Sequence, residues 1–261
     1  MYLKTIYKAA DSIAPFALSK EYCETYGAHD NSGIQLDCGN EIKRVLFSLD
    51  LSAAAISRAK ASGANCIVTH HPAIFYPLSS LEAEGAGKEI LECAKNGISV
   101  LSAHLNLDCA EGGIDDCLSE GLTGGRPERV MHPLAVGGYG KTGIITPCAF
   151  ERFLNAVSQR FHTQRMIAYG GGTVKKIASF CGAGMDGDSV AFTLKSGADT
   201  FVSSDGKHHC IKELAENGVN VILLPHYAAE QYGFTRFYEK FQKILKEADV
   251  CAELFTDERF L

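Results

Sequence analysis

The 261-residue sequence lacks any run approaching the roughly 18 to 20 apolar residues that a helix needs to cross a bilayer, which argues against an integral membrane protein. Its first sixteen residues carry Lys4, Lys8 and Asp11 where a secretory signal needs an unbroken apolar stretch, so a cytoplasmic location is expected. No C-x-x-C pair occurs among the ten cysteines, and a chain of this size needs no disulfide staples. The cysteines are expected to be reduced, and most of them small buried hydrophobes. There is no excess of positive charge either. With 25 Lys and Arg against 31 Asp and Glu the net charge is -6, which argues against general binding to nucleic acid or anionic lipid.

What is present is the composition of a folded globular chain, 46% hydrophobic and 21% charged. The length admits one domain or two. From Arg44 to Leu122, apolar strand-like runs (VLFSLDL, NCIVTHH, ISVLSAH) alternate with helix-like stretches, the first of which Ser52 can cap. This rhythm predicts a mostly parallel sheet covered by helices. The segment RPERVMHPLAVGGYG interrupts it and reads as a linker. A second α/β unit follows from about Tyr139, and an amphipathic run from Ala228 to about Ala248 closes the pattern. Its Tyr232, Phe234, Phe237, Phe241 and Leu245 recur at helical spacing and are expected in the core.

Three motifs offer metal-ligand chemistry at strand ends, where open α/β sheets usually bind ligands. Thr69-His70-His71-Pro72 places two imidazoles after a buried strand. Adjacent side chains there diverge, which suits two neighbouring ions better than one. Ala103-His104-Leu105-Asn106-Leu107-Asp108 adds an imidazole and a carboxylate, although an Asp in that setting can also serve a turn. In Pro225-His226-Tyr227-Ala228-Ala229-Glu230 one helical turn sets His226 and Glu230 on the same face. Each motif alone could be a surface or core pair. Their convergence favours a two-metal site of nitrogen and oxygen ligands, suited to zinc, manganese, iron or a similar divalent ion.

Two further segments compete for attention. Gly182-Ala183-Gly184-Met185-Asp186-Gly187 fits G-x-G-x-x-G after a strand, so either a nicotinamide or flavin site or a tight turn would account for it. The polar loop from Ser203 through Asp205 to His208 and His209 either contacts substrate or caps a helix through Asp205.

Taken together these segments resemble the Nif-three-like family, whose members are often labelled GTP cyclohydrolase I type 2 homologues. The resemblance runs through Asp30-Asn31-Ser32-Gly33-Ile34-Gln35, the His70-His71-Pro72 block, Ala103 to Gly113, Cys181 to Gly184, Gly197-Ala198-Asp199 and Gly218 to Glu230. It implies two divalent ions, with His71 and Asp108 on one, His70 and His226 on the other, and Glu230 bridging. His104 would stand behind the ligands or join them occasionally. It also implies an α/β fold in which both chain ends (1–125 plus 222–261) form the metal-binding domain, with 126–221 inserted as a smaller α/β domain, and a ring-shaped homohexamer. Ser203-Ser204-Asp205 stands where the family usually carries Thr-Gly-Asp or Thr-Gly-Glu, and Ala183 where it often carries Ser. The expected chemistry is hydrolysis of a small molecule, nucleotide-like or otherwise anionic, by metal-activated water. A non-enzymatic regulatory or interaction protein with structural metals is the alternative.

Overall fold

The computed structural model describes residues 1–125 and 127–261. Arg126, which begins both the stretch read as a linker and the expected insertion, lies outside the described residues. The chain divides into two compact units, Met1–Ala110 with Phe234–Asp257 and Glu111–Gly233 with Glu258–Leu261. Each is built on its own sheet, giving a mixed α/β fold.

The first unit has five strands in the spatial order Gly33–Leu36, Ser99–Ser102, Cys66–Thr69, Arg44–Ser48 and Cys251–Phe255. All neighbours are parallel except Gly33–Leu36, which runs antiparallel to Ser99–Ser102. The three inner strands read as near-continuous apolar runs because both of their faces are covered. On one face Leu46, Ile67 and Val100 cluster with Ile56 and Ala59 of helix Ala53–Ser62 and Ile90 and Cys93 of helix Lys88–Lys95. Ser52 caps the first of these by accepting from the Ala55 amide, and Gly63 ends it in the left-handed conformation. Elsewhere Phe47 lies edge-on to Phe237 and Phe241 of the helix His226–Glu247, whose expected aromatic stripe is buried at Phe234, Phe237, Phe241 and Leu245.

Register is what matters for function. Ser48 pairs with Thr69, and Thr69 with Ser102, so three parallel strands end level. The residues that follow, Asp50, His70 with His71, and His104, therefore emerge at one edge of the sheet.

The second unit has six strands in the order Arg129–Pro133, Gly138–Ala149, Thr173–Ser179, Thr200–Ser203, Asn220–Leu223 and Ile167–Tyr169. Thr173–Ser179, Thr200–Ser203 and Asn220–Leu223 are parallel, and the remaining pairings are antiparallel. Phe180, Phe201, Val221 and Leu214 fill its core. Ser179 pairs with Val202, and Ser203 with Leu223, so Cys181, Asp205 and His226 also follow strands that end together.

Four elements were not announced by the sequence pattern. Within the stretch read as a linker, Arg129–Pro133 forms a strand paired with the start of Gly138–Ala149, because Gly137 and Gly138 adopt the positive φ angles that a tight reversal demands. The pattern ended near Ala248, yet Cys251–Phe255 adds an edge strand parallel to Arg44–Ser48. The N-terminal stretch forms two helices, Leu3–Ile13 and Ala17–Tyr26. Among the described residues no helix is long and apolar enough to cross a membrane. None of the ten cysteines is in a disulfide, and Cys66, Cys93, Cys109, Cys117, Cys181 and Cys210 are buried.

Candidate metal centre

In the first unit the strand Cys66–Thr69 hands over directly to His70 and His71. The Leu49 carbonyl accepts from both of their amides, and the Thr69 hydroxyl donates to the His71 carbonyl at 2.9 Å, so the strand end is held rigidly. His70 is fully buried and His71 half-buried. Their rings stand 4.9 Å apart at 48°, and His104 joins them at 5.0 Å from His70. One donor atom from each of His70, His71 and His104 can be chosen so that all three lie within 4.8 Å of one another. Asp108, buried on the short helix Leu105–Cys109, brings Oδ1 to 3.5 Å from His70 Nε2.

The tautomers follow from the partners. His70 Nδ1 lies 2.7 Å from the Ala103 carbonyl, which can only accept, so Nδ1 carries the proton and Nε2 a lone pair. His71 Nδ1 is 2.6 Å from Asp50 Oδ1, and His104 Nδ1 is 2.7 Å from Asp30 Oδ1. Ionised carboxylates likewise accept only. Ser19 and Ser32 also donate to Asp30 through their hydroxyls. Burial would raise the Asp30 carboxyl, but His104 and these two hydroxyls outweigh it and hold it well below the usual carboxylate range. Burial pushes His104 down, while Asp30 and Asp108 raise it above the ordinary histidine value on balance.

In the second unit His226 opens a helix after the strand Asn220–Leu223, and its Nδ1 is 2.9 Å from Asp205 Oδ2. One turn on, Glu230 is buried, with Oε1 3.0 Å from His226 Nε2. The turn carrying Gly182 lies against them: an ideal Cβ at Gly182 would stand 2.9 Å from Glu230 Oε1 and 3.7 Å from His226 Nε2, and Gly182 has φ +59°. This turn is fixed from three sides. Asp115 Oδ1 accepts from the Cys181 amide, the Tyr139 hydroxyl donates to the Cys181 carbonyl, and the Ser203 hydroxyl donates to the Gly182 carbonyl. Asp115 in turn accepts from the buried Lys141 ammonium at 2.7 Å, with Asp116 3.1 Å from the same nitrogen. Burial disfavours that charge, but the two carboxylates override it and raise the lysine above its usual value.

Four histidines thus share one arrangement, with Nδ1 held by an oxygen acceptor, and at His70 and His226 Nε2 faces a buried carboxylate. Oriented imidazoles of this kind, together with carboxylates, are a good fit to a divalent cation that takes nitrogen and oxygen. Asp50 was missed in the sequence because it closes an apolar strand run, and only strand register shows that it meets His71. Asp205 does not cap the helix His208–Glu216, whose N-cap is Lys207 with no side-chain cap bond; it orients His226 instead. His208 and His209 are exposed on that helix's first turn, and no cation-sized grouping of described residues includes them.

The G-x-G-x-x-G stretch serves internal packing. A Cβ at Gly184 would strike the Tyr139 hydroxyl and Phe180, and the following helix is capped by Asp186 and Ser189 from its own chain. That leaves a tight turn as the reading of this stretch.

Known proteins are similar to this chain over nearly its whole length. Proteins named GTP cyclohydrolase 1 type 2 homolog are 29% identical in Clostridium perfringens, over 96% of this chain and 94% of theirs, and 30% identical in Methanocaldococcus jannaschii, over 92% and 94%. Among solved structures, reduced HcgD from Methanocaldococcus jannaschii is 27% identical with a TM-score of 0.78, covering 98% of both chains. A hypothetical protein from Staphylococcus aureus shares the fold with a TM-score of 0.84 at 22% identity, covering 98% of this chain and 97% of its own. The sequence profile of Duf34/NIF3 (NGG1p interacting factor 3) matches residues 1–258, and the chain belongs to that family.

Proposed function

We propose that this protein holds two divalent metal ions through His70, His71, Asp108, His226 and Glu230 and uses them to hydrolyse a small anionic substrate. The observation that carries the reading is the uniform anchoring of Nδ1 on His70, His71 and His226, which fixes each ring with Nε2 as the basic nitrogen. The division of ligands follows the family resemblance: His71 and Asp108 to one ion, His70 and His226 to the other, Glu230 to both. When bound, such ions supply an acidified water and polarise the bond it attacks. The chain's own work is orientation. Asp50 and Asp205 keep His71 and His226 in one tautomer, Asp30 does the same for His104, and the Gly182 turn fixes the ground beside Glu230. The name carried by the curated relatives makes GTP and related nucleotides the first substrates to test. The resemblance further suggests a homohexamer in the cytoplasm, which sedimentation and fractionation would test.

The experiment is elemental analysis after metal-supplemented purification, with about two ions expected per chain and a clear loss in His71→Ala and Glu230→Ala. No bound metal in the parent protein, or no difference in the variants, would overturn the site. A hydrolysis screen with GTP, cyclic nucleotides, phosphate esters and amides then follows across several metals. If the parent and Glu230→Ala are equally inactive on all of these, the second reading stands. It is favoured by the interaction-factor name of the family, and in it the metals hold a binding surface together.

A further inference from the structure

Between the strand ending at Thr69 and the helix beginning at Lys88 the chain runs through a loop without regular structure. Two residues of this loop are tied down by side chains from the 29–35 segment. His29 Nε2 donates to the Phe75 carbonyl at 2.9 Å, Asn31 Nδ2 donates to the Ile74 carbonyl at 2.5 Å, and the Ile74 amide donates to Gln35 Oε1 at 3.1 Å. Three hydrogen bonds on two consecutive residues fix where the rings of Phe75 and Tyr76 stand.

Those rings close into a three-membered cluster with His29, whose ring also meets Phe75 edge-on at 5.1 Å, beside the imidazole cluster. Phe75 meets His104 edge-on at 6.1 Å and 90°, and Tyr76 edge-on at 4.8 Å. Tyr76 stacks on His29 at 4.9 Å with the planes within 6° of parallel. Yet Tyr76 is 65% exposed and His29 is exposed as well. A core-forming role would bury these rings, and a loop needing only a polar anchor would not require two coplanar rings at the surface. Stacked aromatic platforms of this kind accept flat rings with little preference for hydrogen-bonding pattern.

We propose that Tyr76 and His29, with Phe75 as the wall toward His104, form a subsite for a planar heteroaromatic ring. The ligand class is a small molecule carrying such a ring and an anionic or otherwise metal-seeking group placed to reach His71 and His104. This rests on the metal centre proposed above for the second group, whereas the ring contact stands on the loop alone.

The chain contains no tryptophan, so Tyr76→Trp introduces a single selective reporter. Guanosine monophosphate and nicotinamide mononucleotide serve as probes with a ring, and ribose 5-phosphate as the probe without one. Metal-loaded Tyr76→Trp protein is titrated while bound metal is measured on the same samples. Saturable quenching by the ringed probes and none by ribose 5-phosphate is expected. Calorimetry on proteins without the reporter should show Tyr76→Phe retaining affinity for guanosine monophosphate and Tyr76→Ala losing roughly tenfold, with metal content unchanged. Quenching that does not saturate or that ribose 5-phosphate matches, or calorimetry in which Tyr76→Ala keeps the parental affinity, would overturn the subsite even with metal fully bound. Saturable ring-dependent quenching in protein that binds no metal would instead uphold the subsite and remove the metal centre.

Discussion

Gly182 and Glu230 stand so close that the smallest side chain on the first would press on the second, an ideal Cβ lying 2.9 Å from Oε1. The carboxylate is the movable end of a flexible side chain, so Gly182→Ala should fold. Its cost to stability comes mainly from the left-handed φ of +59°, about 1 kcal/mol. The larger effect should fall on metal. Displacing the carboxylate proposed to bridge the two ions by a few tenths of an ångström should weaken binding of at least one ion by about tenfold or more. Competition with a chromogenic chelator measures this, and unchanged affinity would show that Glu230 is not a ligand.

Asp205 offers a second test, because it touches His226 and is not among the proposed ligands. Asp205→Ala removes the acceptor that holds Nδ1, and loss of such a partner typically costs 10- to 100-fold in metal affinity. The affected ion should be the one held by His226. Asp205→Asn, whose amide oxygen can still accept from Nδ1, should recover part of the loss. An Asp205→Ala protein with parental affinity for both ions would mean that the contact with His226 is incidental.

How far the site could be read in the sequence depended on which residues advertise themselves locally. His70, His71, His226 and Glu230 do so, since strand ends and a one-turn spacing are visible in a linear pattern. Asp50 and Asp205 do not, because their partners lie 21 residues away in each case and meet them only through parallel strand register. The same limit applies to the fold. Fully buried strands such as Cys66–Thr69 are plain, whereas Cys251–Phe255, an edge strand without one fully buried residue, has too little apolar signal to announce itself. The glycine fingerprint at Gly182 left two readings open for a related reason, since a glycine required by a neighbouring carboxylate looks the same as one required by a phosphate.

The buried Lys141 ammonium gives a stability prediction separate from metal. Lys141→Met leaves Asp115 and Asp116 without their shared cation and should destabilise the protein by about 3–5 kcal/mol, the usual result of removing one partner from a buried pair. Adding Asp115→Asn should restore part of that loss, because the uncompensated buried charge is then gone. Denaturant unfolding of metal-free protein compares the two. Because Asp115 accepts from both the Cys181 and the Gly140 amides and an amide side chain has only one accepting oxygen, the double variant should still bind metal less tightly than the parent.

Acid should undo the Asp30 contacts in a defined direction. The folded carboxyl is held below its unfolded value, so its contribution to stability is fully present above the unfolded value and is lost as pH falls toward the folded one. In chelator-treated protein, the gap in unfolding free energy between the parent and Asp30→Asn should be widest near neutrality. It should narrow progressively once the pH falls below about 4, where an unfolded aspartate takes up its proton. His104 works in the opposite sense. Its folded value is raised by Asp30 and Asp108 despite burial, so its contribution is present below the ordinary histidine value and fades as pH rises through the raised one. The parent should therefore gain a little stability between pH 8 and 6, and His104→Gln should lack that gain. A flat difference between parent and Asp30→Asn from pH 7 to pH 3 would show that Asp30 is not held as an ionised partner of His104.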